Sequence, residues 1–83
     1  MEHLHHTLIA RLREEAKDVI EYHRLAKEAE AAGNEWLARK LYAIAKEELT
    51  HAYTIRRALR MEDAEIDPET CRMYREAEAV FDD

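Results

Sequence analysis

Apolar residues recur at alternating steps of three and four along two long stretches of the chain, and both stretches carry ionisable residues inside the apolar stripe. In the first half the stripe runs Leu8, Leu12, Glu15, Val19, Tyr22, Ala26 and Ala29; in the second it runs Leu37, Leu41, Ile44, Glu48, His51, Ile55 and Ala58. That period belongs to an amphipathic helix. A first helix is predicted over about 4–31, opening at a Thr7 cap or from the very N-terminus. The single glycine, Gly33, follows Ala31-Ala32 and precedes Asn34. It suits the left-handed residue that ends one helix, with Asn34 capping the next. A second helix of similar length over about 35–61 then has to run antiparallel to the first. Asp67-Pro68-Glu69 has the form of a cap followed by proline in the first turn. It opens a short helix over about 68–81, with Cys71, Tyr74, Ala77, Val80 and Phe81 as its apolar side. The expected fold is all-α, an antiparallel helical hairpin plus a short C-terminal helix in one domain spanning 1–83.

Composition agrees with helices and raises the question of what covers them. Hydrophobic residues make up 47% and charged residues 39%, with one Gly and one Pro, as in long helices rather than sheets. A chain of this size buries only roughly 60–65% of its unfolded surface. A lone hairpin is therefore expected to leave Leu12, Leu41, Ile44 and Ile55 half covered, and a second copy is the natural lid. A further stripe, Tyr42, Ala45, Leu49 and Ala52 with Ile9, Ala16 and Ile20, calls for a folded-back third helix or a higher oligomer. Trp36 is expected to pack beside the turn.

The net charge of −6, with no basic cluster free of acidic neighbours, argues against nucleic acid and anionic membranes and favours cations. Cys71 is alone, so it forms no internal disulfide and is expected to be a structural thiol. No apolar run approaches the ~20 residues of a membrane span, and the His-rich start lacks a signal-peptide core. A soluble cytoplasmic protein is expected, with His3, His5 and His6 solvated.

The polar intruders in the stripes carry the chemistry. A bare carboxylate in an apolar seam costs several kcal/mol, so it is normally paired, protonated or bound to a metal. If the turn centres near Gly33, Glu15 lies level with His51 and within one turn of Glu48. Glu48-Leu49-Thr50-His51 puts a carboxylate and an imidazole on one helix face. With Glu15 opposite, that is half the ligand set of a di-metal carboxylate bundle, which takes Glu from two helices and Glu-x-x-His from two others. Two copies about a two-fold axis supply the whole set and bury each other's seams.

Over residues 8–59 these spacings resemble the ferritin-like superfamily, in particular its rubrerythrin-like and encapsulated-ferritin-like members. The resemblance implies dimerisation into a ferritin-like four-helix bundle with two irons at the site between chains. It implies Glu15 as terminal ligand, Glu48 as bridging carboxylate, His51 as nitrogen ligand and Tyr22 as a nearby hydrogen bonder. The implied activity is oxidation of ferrous iron by oxygen or peroxide, a ferroxidase. The lone Cys71 excludes an attached four-cysteine iron, which disfavours peroxidase turnover. The acidic ending, residues 78–83, stands where encapsulated relatives carry an apolar docking peptide, so an encapsulin shell is not the expected partner.

The leading reading is thus a homodimeric or higher homo-oligomeric di-iron oxidoreductase, with manganese or zinc as other metals these ligands accept. Its alternative is a non-catalytic dimerisation module in which Glu15, Glu48 and His51 form a buried polar layer or a structural metal site. Asp18 borders the seam and is either a further carboxylate or a solvated one.

Overall fold

Two long helices and a short one account for most of residues 2–82, which the computed structural model describes; Met1 and Asp83, the outer ends of the expected 1–83 domain, lie outside the described residues. α1 spans Glu2–Ala31, α2 Glu35–Leu59 and α3 Pro68–Ala79, with no strand among the described residues. The fold is all-α. α1 begins ahead of Thr7, whose hydroxyl donates to the His3 carbonyl at 3.0 Å within the helix instead of capping it.

Gly33 takes φ +80°, a conformation that a Cβ disfavours. The Asn34 N–H donates to the Ala29 carbonyl at 2.9 Å, and its side chain accepts from the Leu37 N–H at 3.2 Å. One short turn thereby satisfies backbone groups orphaned at both helix ends. α2 runs back along α1, so that the Tyr42 hydroxyl reaches Glu30, His51 approaches Glu15, and Leu59 clusters with Leu12.

Both later helices end earlier than expected, each for a visible reason. α2 stops at Leu59, short of 61, because Arg60 turns left-handed at φ 49° and its N–H bonds to the Arg57 carbonyl. The acidic connector contains a 3₁₀ turn, Asp63–Glu65. Asp63 accepts from Arg56 at 2.7 Å and Arg75 at 2.9 Å, tying α2 to α3. Asp67 caps α3 by accepting from the Thr70 N–H at 2.9 Å. That helix stops at Ala79 rather than 81, where the Asp82 N–H closes a turn on the Ala79 carbonyl. Phe81 then folds back, its ring centroid 5.1 Å from that of His23.

α3 covers the further apolar stripe. Ala77 is buried with Ala16 and Val19, and Ile20, Leu49, Met73, Val80 and Phe81 pack around them. Leu12, Ala52, Leu59 and Ile66 form a second buried group beside Cys71 and Tyr74. Leu12 is therefore fully buried within one chain rather than half covered. Cys71 Sγ stands 3.6 Å from the Asp63 carbonyl and 3.8 Å from that of Ile66, in a structural role.

The buried line of α2 differs from the expected one. Ala38, Ala45, Ala52 and Leu59, seven residues apart, face inward. Leu37 and Ile44 stay 38% and 37% exposed. Helix axes come closest where side chains are small, so the alanines take the contact and the larger aliphatics border it. Trp36 does not pack: it is 61% exposed, with the Lys40 ammonium over its ring at 5.4 Å. The molecule measures 47 × 18 × 15 Å. With helices about 10–12 Å across, no interior is deeper than one layer of side chains. No described helix is long and apolar enough to cross a membrane.

Candidate metal centre

Glu15 sits mid-way along α1 between Leu12 and Val19, both buried, and is itself only 6% exposed. Its Oε1 accepts from Arg11 Nη2 at 2.6 Å, a charge-assisted bond one helical turn away. Oε2 is buried with no hydrogen-bond donor. A buried oxygen without a partner costs about 1–3 kcal/mol, more when charged, and native proteins seldom leave one unexplained.

Two side chains of α2 gather beside Glu15. His51 Nδ1 lies 3.6 Å from Glu15 Oε2 and 3.5 Å from Glu48 Oε1. One ligand atom from each of Glu15, Glu48 and His51 falls within 4.8 Å of the other two. The imidazole separations exceed a hydrogen bond. They match two donors sharing one tetrahedral ion, which at bond lengths of about 2.0–2.2 Å stand roughly 3.3–3.6 Å apart. Two carboxylate oxygens, one of them the orphaned Oε2, and an imidazole nitrogen fit a divalent cation. Exposure rises from floor to mouth, from Glu15 through Glu48 at 20% to His51 at 57% for the side chains of α2.

The electrostatics follow from crowding two carboxyls. Glu48 is pushed up from 4.5 to about 7, chiefly by its hydrogen bond to Glu15, then by burial and the charge of Glu15; His51 opposes the shift and Asp18 adds to it. With both carboxyls ionised neither can donate to the other, so a proton on Glu48 supplies a second donor to Glu15, which otherwise has only Arg11. The folded chain thus holds this proton more tightly than the unfolded chain does. Stability from this group is present below pH 4.5 and is lost as pH rises through about 7. Thermal melts of the metal-free protein should fall between pH 5 and pH 8, and Glu48→Gln, which mimics the protonated form, should flatten that slope. Parallel profiles for the two proteins would show that Glu48 carries no such proton.

The other expected participants lie outside the cluster. Tyr22 is half-buried two turns further along α1, and no hydrogen bond links it to Glu15, Glu48 or His51 within the chain. Asp18 is half-buried and contributes charge only. Glu21, the other α1 carboxylate that competes with Glu15 as a ligand on sequence, is exposed and engaged by Arg24, which also pairs with Glu28. Among the described residues no second group of three such side chains meets this closely, so His3, His5, His6 and Cys71 build none. Arg11 is the site residue that the stripe reading overlooks. Its signal is in the sequence, an arginine four positions before a carboxylate, the helical spacing of an ion pair.

The chain matches no family model, no curated protein and no solved structure, so what it does has to follow from Glu15, Glu48 and His51 themselves.

Proposed function

We propose that the chain is one half of a ferritin-like di-iron protein that oxidises ferrous iron at a site shared between two copies. The observation that carries the reading is the buried, donorless Oε2 of Glu15 facing Glu48 and His51. Oxygen-rich ligands with an imidazole accept iron(II), and equally manganese or zinc. The acidic surface, net charge −6, raises the local concentration of cations. Leu37, Leu41, Ile44 and Ile55 share the stripe of α2 that carries Glu48 and His51, and a second copy laid on this face covers them while bringing its own Glu, Glu and His. Ferrous iron is the substrate: two ions give one electron each to dioxygen, which takes up two protons and leaves as hydrogen peroxide. The chain's part is to hold the ions, to release the Glu48 proton when a cation replaces it, and to exclude bulk water by the apolar rim.

Oxygen uptake on adding ferrous ion, measured with the mass of the loaded protein, tests both parts. Uptake should begin at once in a species of at least twice 9.8 kDa. A loaded species that stays at 9.8 kDa at micromolar concentration sinks the shared site. A dimer that binds iron without consuming oxygen sinks the ferroxidase. Structural zinc is the second reading, favoured by the tetrahedral size of the 3.5 and 3.6 Å separations, and tight zinc binding without oxygen uptake selects it.

A further inference from the structure

We infer that Arg11 makes the centre discriminate by ion charge, weakening a trivalent ion more than a divalent one and so favouring release of the oxidised product. This rests on the reading that Glu15, Glu48 and His51 bind a cation. The guanidinium already occupies Oε1 of Glu15 at 2.6 Å, leaving Oε2 as the one oxygen of that carboxylate free to bind a metal. A cation on Oε2 therefore shares its carboxylate with a fixed positive charge.

The two consequences of that sharing separate cleanly. Holding Oε1 orients the carboxylate, and this helps every ion alike. Repulsion between the guanidinium and the bound ion grows in proportion to the ion's charge. Because the Arg11 side chain is 58% exposed, its field is screened by water and the effect is moderate. On water-like screening it amounts to roughly tenfold in the dissociation constant of a divalent ion. The same repulsion scaled by three charges over two gives roughly thirtyfold for a trivalent ion. A site that takes up a 2+ ion and turns it into a 3+ ion is then loosened by its own chemistry. Without such a counter-charge, two or more carboxylates grip the trivalent product harder than the substrate.

Redox-inert ions separate this from catalysis. Affinities of the full chain for Zn2+ and Tb3+ are measured by calorimetry and by Tb3+ luminescence, in wild type, Arg11→Gln and Arg11→Lys, with helicity checked by circular dichroism. Gln keeps a donor for Oε1 without the charge; Lys keeps the charge. Arg11→Gln should bind Zn2+ roughly tenfold and Tb3+ roughly thirtyfold more tightly than wild type, and Arg11→Lys should stay near wild type for both. Each ion is its own control, so differences in ionic size cancel in the ratio. A lost fold or a misplaced Glu15 lowers affinity and cannot produce a gain. Equal gains for both ions, no gain, or a loss in Arg11→Gln overturns the role of Arg11 while leaving the site itself standing. Failure of the wild type to bind either ion overturns the site and this inference with it.

Discussion

Glu48→Ala should reduce ferrous oxidation by about 100-fold or more while the fold keeps its stability to within about 1 kcal/mol or gains a little. The two effects part because Glu48 has opposite roles in them. On the proposed reading it is one of three ligands from this chain to a cation, and loss of groups that merely orient a ligand already costs about 10–100-fold. To the metal-free fold it is a half-buried carboxyl pressed against Glu15, pushed up to about 7 by that contact, so truncation relieves more than it removes. His51→Ala should behave alike, since its imidazole is 57% exposed and beyond hydrogen-bond reach of both carboxylates. Oxygen uptake and urea midpoints, measured on the same preparations, decide the matter. Uptake equal to wild type in Glu48→Ala would remove the ferroxidase, and joint collapse of activity and stability would make Glu48 a structural residue.

Leu12→Ala should have the largest effect on stability, about 3–5 kcal/mol, the range for deleting a fully buried leucine that leaves a cavity. Leu12 is among the largest fully buried side chains and sits where all three helices meet, against Ala52, Leu59 and Ile66 beside Cys71 and Tyr74. With natural stability of roughly 0.05–0.15 kcal/mol per residue, a chain this short has about 4–12 kcal/mol in hand. One methyl-sized side chain in place of Leu12 then removes about a quarter or more of it. Urea unfolding followed by circular dichroism measures the loss. A change below 1 kcal/mol would mean that Leu12 is exposed in solution and that α3 does not close over it.

The helices and the meeting of the three polar side chains are legible in the residues because both rest on local rules. Gly33 and Asn34 mark the reversal, and once its position is known the heights of Glu15, Glu48 and His51 follow from 1.5 Å per residue. Which face of α2 turns inward is harder to read. Leu37, Leu41, Ile44 and Ile55 outrank alanine in hydrophobicity, so the stripe reading favours them. Close approach of two helix backbones favours Ala38, Ala45 and Ala52 instead, and that preference depends on the partner helix rather than on α2 alone. Trp36 is misjudged similarly, since large apolar residues near a turn are buried only if a wall lies opposite, and here the residue stays 61% exposed beneath Lys40. Arg11 escapes notice because it belongs to no stripe; its importance comes from which oxygen of Glu15 it occupies and which it leaves.

The alanine line has a meaning for kinship. Ala45 and Ala52 are wholly buried and Ala38 nearly so, so a larger side chain at any of them pushes α2 off α1 and pulls His51 away from Glu15. Leu37 and Ile44 carry no such constraint from within the chain. A descendant or distant cousin that preserves the centre can therefore exchange one aliphatic for another at Leu37 and Ile44, but has to retain residues no larger than serine at these three sevenfold-spaced places. That spelling of small residues, together with Glu15 and the Glu48-x-x-His51 pair, is the inheritance by which such cousins could be recognised when overall identity has faded.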